Sequence, residues 1–168
     1  MSTILITGAS GGLAQEMVKL MPDDQLILLG RNKDKLAQLY GNHPQAEFIE
    51  IDITDAQAIE ELVAELYQRY GKIDVVINNA GYGIFEDFDK ISNQDIYQMF
   101  EVNTFALMNL SRLVASRMKV TRKGHIINIV SMAGLIATGK SSLYSATKFA
   151  AIGFSNALRL ELMPYGVY

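Results

Sequence analysis

Tyr144 and Lys148 are the residues of this sequence whose types and spacing most directly suggest proton transfer. They lie four positions apart, so their side chains share one face if the segment is helical. A tyrosine hydroxyl ordinarily titrates near pH ~10, and a fixed ammonium beside it favours the phenolate. Such a tyrosine suits general acid/base chemistry on a carbonyl or an alcohol. Taken alone, the spacing is weak evidence, because most tyrosine–lysine pairs four apart belong to a solvated helix face.

Two further polar residues are candidates for the same cleft. Ser131 directly follows the apolar run 126–130, which we predict to be a buried strand whose end presents the serine hydroxyl. Asn103 falls on the apolar stripe of a predicted long helix. Because a buried amide must be hydrogen-bonded, Asn103 either bonds a neighbouring backbone or anchors a water or proton relay near Tyr144.

A glycine-rich turn near the start of the chain is a candidate phosphate site. The apolar, β-branched run 3–7 predicts a buried strand, the turn occupies 8–12, and helical character begins at Leu13. Glycines let a ligand approach the backbone, and a helix N-terminus offers free N–H groups with partial positive charge. We therefore predict phosphate binding, the alternative being a turn that is merely tight.

Two other strand ends carry polar residues that could contact a nucleotide. Arg31 directly follows the predicted strand 25–30, where an arginine suits the 2′-phosphate of NADP and an acid would suit the ribose of NAD. The alternative is a solvated arginine that starts a helix. Asn78 and Asn79 end the predicted strand 73–77, where the two amides either form a turn or fix neighbouring loops and contact a ligand.

These candidates are held by segments that alternate between strand and helix. Short β-branched runs indicate strands, and apolar residues at helical spacing indicate helices. Such alternation predicts a parallel, doubly wound α/β sheet in one domain that covers residues 1–168. The predicted strands are 3–7, 25–30, 47–51, 73–77 and 124–130, and the predicted helices are 13–20, 33–39, 56–70, 93–119 and 142–163.

The bulk composition narrows the functional classes. Hydrophobic residues make up 49% of the 168 and charged residues 20%, which is enough for a sizeable core. The net charge is −3 and basic residues do not cluster, which argues against nucleic acid as a partner. The chain has no cysteine, and its two histidines are not grouped with acids at metal-ligand spacing. With no apolar run long enough for a membrane and a strand from Thr3 that leaves no room for a signal peptide, we expect a cytoplasmic location.

The chain resembles the short-chain dehydrogenase/reductase family, whose domain is a Rossmann-type sheet. Five motifs occur with family-like order and spacing across essentially the whole chain. The glycine turn alone is weak evidence, whereas the five together are highly specific. The spacing of Ser131 and Tyr144 favours the simpler dehydrogenase branch. The motifs are Thr7-Gly8-x-x-x-Gly12, Asn78-Asn79-Ala80-Gly81, Asn103, Ser131 and Tyr144-x-x-x-Lys148.

The resemblance implies a nicotinamide-dependent oxidoreductase that interconverts a carbonyl and a secondary alcohol. By matching position, Tyr144 is the acid/base, Ser131 holds the substrate oxygen, Asn103 anchors the relay, and Lys148 assists Tyr144 and binds the nicotinamide ribose. NADP(H) is the expected cofactor because of Arg31, with NAD(H) less favoured. The residues implied to contact the cofactor are Gly8, Ser10, Gly11, Gly12, Leu13, Arg31, Asp52, Ile53, Asn79, Ala80, Gly81, Tyr144 and Lys148.

Two departures from the family pattern bear on this expectation. The third glycine of the turn is Ala14, whose methyl group meets the packing of helix on strand. The chain also stops at Tyr168, where the family continues with a strand, a substrate-covering lid and a last strand. We therefore expect a domain that lacks its C-terminal strands and lid, with an exposed sheet edge.

Two other functions stay open at this point. One is a non-catalytic NADP-binding scaffold or truncated remnant, and the other is an epimerase-like sugar-nucleotide enzyme. The expected partner is a small carbonyl or alcohol compound, with no nucleic acid and no membrane. The family usually assembles through the long helix and the tyrosine-bearing helix, so a homodimer or homotetramer is expected at full length. The second helix carries small residues at helical spacing, namely Ala146, Ala150, Gly153 and Ala157.

Overall fold

A five-stranded parallel sheet forms the centre of the chain. The computed structural model describes residues 1–168. The strand order is β3-β2-β1-β4-β5, and the order reverses direction between β1 and β4. Ligands of open α/β sheets bind at such a reversal, beyond the carboxyl ends of the strands. The strands are β1 (Thr3–Ile6), β2 (Gln25–Gly30), β3 (Ala46–Glu50), β4 (Val75–Asn78) and β5 (His125–Asn128).

Helices cover both faces of this sheet. Two hydrophobic clusters separate the layers, one between the sheet and α3 with α5, the other between the sheet and α1 with α2. Leu5 and Ile6 are both fully buried and point into opposite clusters, as expected for a strand that is covered on both sides. The helices are α1 (Gly12–Lys19), α2 (Lys33–Tyr40), α3 (Ala56–Tyr70), α4 (Asn93–Phe100), α5 (Ala106–Thr121) and α6 (Ser142–Leu162).

Local caps fix several helix ends where the sequence predicts them. The Asp55 side chain accepts from the backbone of Ala58 at the start of α3, and Gly71 ends that helix in the left-handed conformation at φ 72°. The Ser92 side chain caps α4, and Asp95 reciprocates in a capping box. The bounds of α3 match the prediction because both signals lie within one turn of the helix ends.

The strand β5 differs from the prediction. A buried strand over 124–130 is wrong, because β5 covers only His125–Asn128 and Ile127 is 43% exposed. The physical reason is its place in the sheet, since β4 pairs with it on one side only. On the other side the chain end makes a single bridge between Gly124 and Val167. Within residues 1–168, β5 is therefore the edge strand of the sheet.

The predicted long helix is not a continuous α-helix. Residues Glu101–Phe105 between α4 and α5 form a π turn, so one additional residue is accommodated there. Asn103 lies inside this turn and is 1% exposed. Nothing in the sequence announces the π turn, because no proline or glycine interrupts the segment. None of the helices combines the length and the apolar character needed to cross a membrane.

Candidate active site

A cavity of about 750 Å³ opens beyond the carboxyl ends of the central strands. It lies at the reversal of strand order, between the glycine turn, the ends of β2 and β4, and one face of α4. Every residue implied to contact the cofactor lines this cavity, apart from Tyr144 and Lys148. The shared lining consists of Gly8, Ser10, Gly11, Gly12, Leu13, Arg31, Asp52, Ile53, Asn79, Ala80 and Gly81.

The backbone of the glycine turn is arranged to receive an anion. All five carbonyls from Thr7 to Gly11 accept hydrogen bonds within the chain, from donors on Asn79, Gly11, Tyr40 and Gln15. Several N–H groups of the same turn have no acceptor in the chain. A turn with occupied carbonyls and free amides at a helix N-terminus fits a phosphate group. The free amides belong to Gly8, Ser10, Gly12 and Leu13.

Gly8 joins this turn to the loop after β4. Its φ is +62°, and a Cβ there would lie 2.7 Å from the Cα of Ala80, so only glycine fits. The Thr7 hydroxyl accepts from the backbone N–H groups of both Asn79 and Ala80, at 3.1 Å each. The Asn79 amide donates back to the carbonyls of Thr7 and Gly8. These bonds hold two distant motifs as one rigid wall of the cavity.

The two predicted amides after β4 have different surroundings. Asn78 is 3% exposed, and its Nδ2 donates to Ser111 and to Asn128. Asn128 in turn donates to Ser155 on α6. Asn78 therefore belongs to a buried polar chain that joins α5, β4, β5 and α6, whereas Asn79 faces the cavity.

The part of the cavity beyond β2 and β3 carries the basic Arg31 and the acidic Asp52. Arg31 follows β2 and lies in the lining beside Asp52, which follows β3. The backbone N–H and the hydroxyl of Thr54 both donate to the Asp52 carboxylate, and with a smaller contribution from Arg31 they lower the pKa of Asp52. Asp52 is therefore a carboxylate at neutral pH, able to accept a hydrogen bond from a bound ligand.

Asn103 is satisfied by the backbone of the loop after β4. Its Oδ1 accepts from the N–H of Tyr82 at 3.0 Å, and its Nδ2 donates to the carbonyl of Tyr82 at 2.8 Å. The Nδ2 also donates to the hydroxyl of Thr147 on α6. The amide thus ties the π turn to the loop and to the helix that carries Tyr144 and Lys148. The backbone contact predicted for Asn103 is present in the chain, and its role in a relay stays a prediction.

Lys148 is a buried lysine with no carboxylate partner. It is 5% exposed, and its ammonium donates to the carbonyl of Ile129 at 3.2 Å. Burial lowers its pKa. Its Nζ lies 5.7 Å from the centre of the Tyr144 ring, so the helical spacing does place the two on one face. A Cβ on Gly81 would lie 3.3 Å from this Nζ and 3.2 Å from Oδ1 of Asn103, which brings three motifs together.

Tyr144 borders this cluster on α6, and Ser131 lies two residues after Ile129, whose carbonyl accepts from Lys148. The Tyr144 ring is half-buried and packs against Phe85 with 5.3 Å between ring centres. The Ser131 hydroxyl oxygen accepts from the N–H of Ala133. Ser131 and Tyr144 make no hydrogen bond to each other, and neither hydroxyl has an acceptor in the chain. Both O–H groups are therefore available to an external oxygen.

Sequence reasoning missed one whole side of the site. Asp95, Gln98, Glu101 and Val102 line the cavity opposite the glycine turn. Asp95 and Gln98 belong to α4 and Glu101 and Val102 to the π turn, and only the tertiary fold shows that this surface meets the cavity. Thr147 was also missed, although it is adjacent to the motif residue Lys148.

The family model described as short chain dehydrogenase matches residues 2–168. The chain belongs to the short-chain dehydrogenase family. Among its relatives is a 3-ketodihydrosphingosine reductase of Bacteroides thetaiotaomicron, 31% identical over 98% of this chain. A ketoacyl reductase of Nostoc sp. is 34% identical, also over 98%. This chain spans 60% of the length of each of these two proteins.

Solved structures of other short-chain dehydrogenases share the architecture. One from Streptomyces avermitilis superposes with a TM-score of 0.94 at 30% identity, covering 99% of this chain and 63% of that protein. A metagenomic short-chain oxidoreductase in complex with NADP gives 0.91 at 26% identity, covering 99% and 77%. A xylitol dehydrogenase with bound NAD⁺ also gives 0.91 at 26%, covering 99% and 66%. The dehydrogenase fold is therefore shared with both NADP-binding and NAD-binding proteins.

Proposed function

We propose that this chain is the cofactor-binding and catalytic domain of an oxidoreductase that interconverts a carbonyl and a secondary alcohol. The single observation that carries the proposal is the placement of Tyr144 beside the buried ammonium of Lys148, next to a cavity whose glycine turn offers free amides. A nicotinamide dinucleotide fits this cavity, and when bound it supplies the hydride. The pyrophosphate would meet the free amides, and Lys148 would reach the nicotinamide ribose.

The chain's own residues would handle the proton. In the reductive direction, the O–H bond of Tyr144 breaks and its proton passes to the substrate carbonyl oxygen, leaving a phenolate. The Ser131 O–H, which has no acceptor in the chain, would donate to the same oxygen and orient it. The Lys148 ammonium would stabilise the phenolate. Asn103 would act by holding the loop at Tyr82 and the helix at Thr147 in place.

Replacement of Tyr144 tests this assignment. In the protein at its natural length, Tyr144→Phe is expected to lower kcat with a responsive ketone by about 100-fold or more, because general acid/base catalysis contributes that much. Cofactor affinity should change little. Tyr97→Phe is the matched control, since Tyr97 is 71% exposed and lies outside the cluster. Full turnover in Tyr144→Phe would remove tyrosine as the acid/base.

We also propose a preference for NADP(H), supported by Arg31 in the cavity lining after β2. Arg31→Asp is expected to shift the ratio of kcat/KM for NADPH over NADH toward NADH by about 10-fold or more, since a charged hydrogen bond contributes about 1.5–3 kcal/mol. Lys35→Asp makes the same charge change on exposed α2 and should leave the ratio unchanged. If Arg31→Asp also leaves it unchanged, Arg31 is not the discriminating residue.

A third proposal concerns assembly into a homodimer or homotetramer. Of the small residues predicted on α6, Ala146, Gly153 and Ala157 are exposed and Ala150 is partly buried, and a Cβ on Gly153 would meet nothing within 4 Å. We propose that this face of α6 contacts a second copy. Gly153→Arg fits the isolated chain but would prevent close approach of another helix. Light scattering is expected to show a smaller assembly for Gly153→Arg, and an unchanged mass would refute this interface.

A further inference from the structure

Tyr40 is a buried tyrosine that touches the glycine turn from outside the cavity. It is the last residue of α2 and is 6% exposed. Its hydroxyl donates to the carbonyl of Ala9, 31 positions away, at 2.5 Å. Its ring stacks on Phe48 of β3 with 6.5 Å between centres, which fixes the direction of the hydroxyl. Burial raises the pKa of Tyr40, so the group remains a donor at neutral pH.

The backbone N–H and the carbonyl of Ala9 are both hydrogen-bonded. Ala9 is fully buried, and its N–H donates to the carbonyl of Leu29 on β2 at 3.0 Å. Its carbonyl would otherwise be a buried acceptor without a partner, which costs free energy. Tyr40 is the one donor that this carbonyl finds in the chain. The orientation of the following peptide unit therefore depends on the tyrosine hydroxyl.

The peptide unit between Ala9 and Ser10 contains one of the free N–H groups of the glycine turn. The carbonyl of Ala9 and the N–H of Ser10 belong to the same planar trans peptide, so they point in opposite directions. With the carbonyl turned toward Tyr40, the Ser10 N–H is turned the other way. Ser10 lines the cavity, and its N–H has no acceptor in the chain.

We propose that Tyr40 is a positioning residue that aims the Ser10 N–H at the cofactor phosphate. The proposal rests on the proposed function, because it assumes that a dinucleotide occupies the cavity. Tyr40 itself would contact neither cofactor nor substrate. Since the pyrophosphate is common to NADP(H) and NAD(H), the tyrosine acts on both cofactors alike, unlike Arg31.

Tyr40→Phe tests this role because it removes the hydroxyl and keeps the ring. In the protein at its natural length, the dissociation constants of NADPH and of NADH are measured by nicotinamide fluorescence, with the melting temperature recorded alongside. Both constants are expected to rise by about 3–10-fold with their ratio unchanged, the range of one lost hydrogen bond. In steady-state assays the KM for cofactor should rise while kcat at saturating cofactor is retained.

Tyr70→Phe is the matched control. The Tyr70 hydroxyl also donates to a single acceptor, the Glu47 carboxylate, at 2.6 Å, and Tyr70 lies outside the cavity. Tyr70→Phe should leave the dissociation constants of NADPH and NADH unchanged. If Tyr40→Phe lowers the melting temperature but leaves both constants unchanged, the tyrosine is structural only and the proposal is wrong. A rise for only one cofactor would overturn it as well. Wild-type protein that binds neither cofactor would instead refute the proposed function.

Discussion

Replacing Thr7 by valine tests how the glycine turn is joined to the loop after β4. The Thr7 hydroxyl is the acceptor for the backbone N–H groups of Asn79 and Ala80, and Thr7 is 3% exposed. Valine has nearly the same shape but cannot accept, so two N–H groups would lose their partner. Each such loss costs about 1–3 kcal/mol, and burial of the added methyl offsets about 1 kcal/mol. The expected net loss of unfolding free energy is about 1–5 kcal/mol, with a midpoint of about 3 kcal/mol.

Chemical and thermal unfolding of the purified protein measure this loss. For a domain of this size, about 1–5 kcal/mol corresponds to a drop in Tm of about 2–20 °C. Thr7→Ser keeps the acceptor and loses only a methyl group, so it should cost about 1 kcal/mol. Thr121→Val, at the exposed end of α5, should stay within about 0.5 kcal/mol of wild type. Equal losses for Thr7→Val and Thr7→Ser would refute the reasoning, because the hydroxyl would then contribute nothing.

Three further substitutions have expected outcomes. Gly8→Ala should abolish cofactor binding in a fluorescence titration and lower Tm, because its Cβ would lie 2.7 Å from the Cα of Ala80 in a backbone at φ +62°. Lys148→Met should abolish turnover. In wild type, the lowered folded-state pKa of Lys148 makes the protein more stable as the pH rises from that pKa to the unfolded value near ~10.4. Unfolding curves at several pH values should show that Lys148→Met lacks this rise. Tyr67→Phe should raise Tm, because the Tyr67 hydroxyl is buried without a hydrogen-bond partner and its loss should contribute about 1 kcal/mol; an unchanged or lower Tm would contradict this.

Features that depend on neighbouring residues were predictable from the sequence. The bounds of α3 follow from Asp55 and Gly71, and β2 follows from one apolar run. The lining on the side of the glycine turn was also anticipated, because each phosphate or nucleotide candidate ends a strand or begins a helix. Parallel strands bring such ends to one edge of the sheet. Motifs that are far apart in the sequence therefore lie close together in the structure.

Features that depend on the whole sheet were not predictable. An exposed sheet edge was expected from the sequence, but no local pattern of hydrophobicity encodes that Ile127 on β5 is 43% exposed. The bond from Tyr40 to Ala9 joins residues 31 positions apart, and a tyrosine at a helix end carries no signal of its target. The contribution of α4 to the cavity is of the same kind, since it depends on how the helix crosses the sheet.

The π turn between α4 and α5 has a consequence for which length changes this chain tolerates. One residue more than an α-helix needs is accommodated there, and each helical residue advances the side-chain direction by about 100°. Because the wider turn absorbs the additional residue, deleting Glu101 or Phe105 would restore regular winding and keep the buried face of α5 on the sheet, whereas deleting a residue within α5 would rotate the rest of that helix by about 100°. The π turn therefore keeps α4 and α5 oriented on the sheet despite the additional residue. A deletion at Glu101 or Phe105 should be better tolerated than one within α5, and it would leave every motif residue in the sequence.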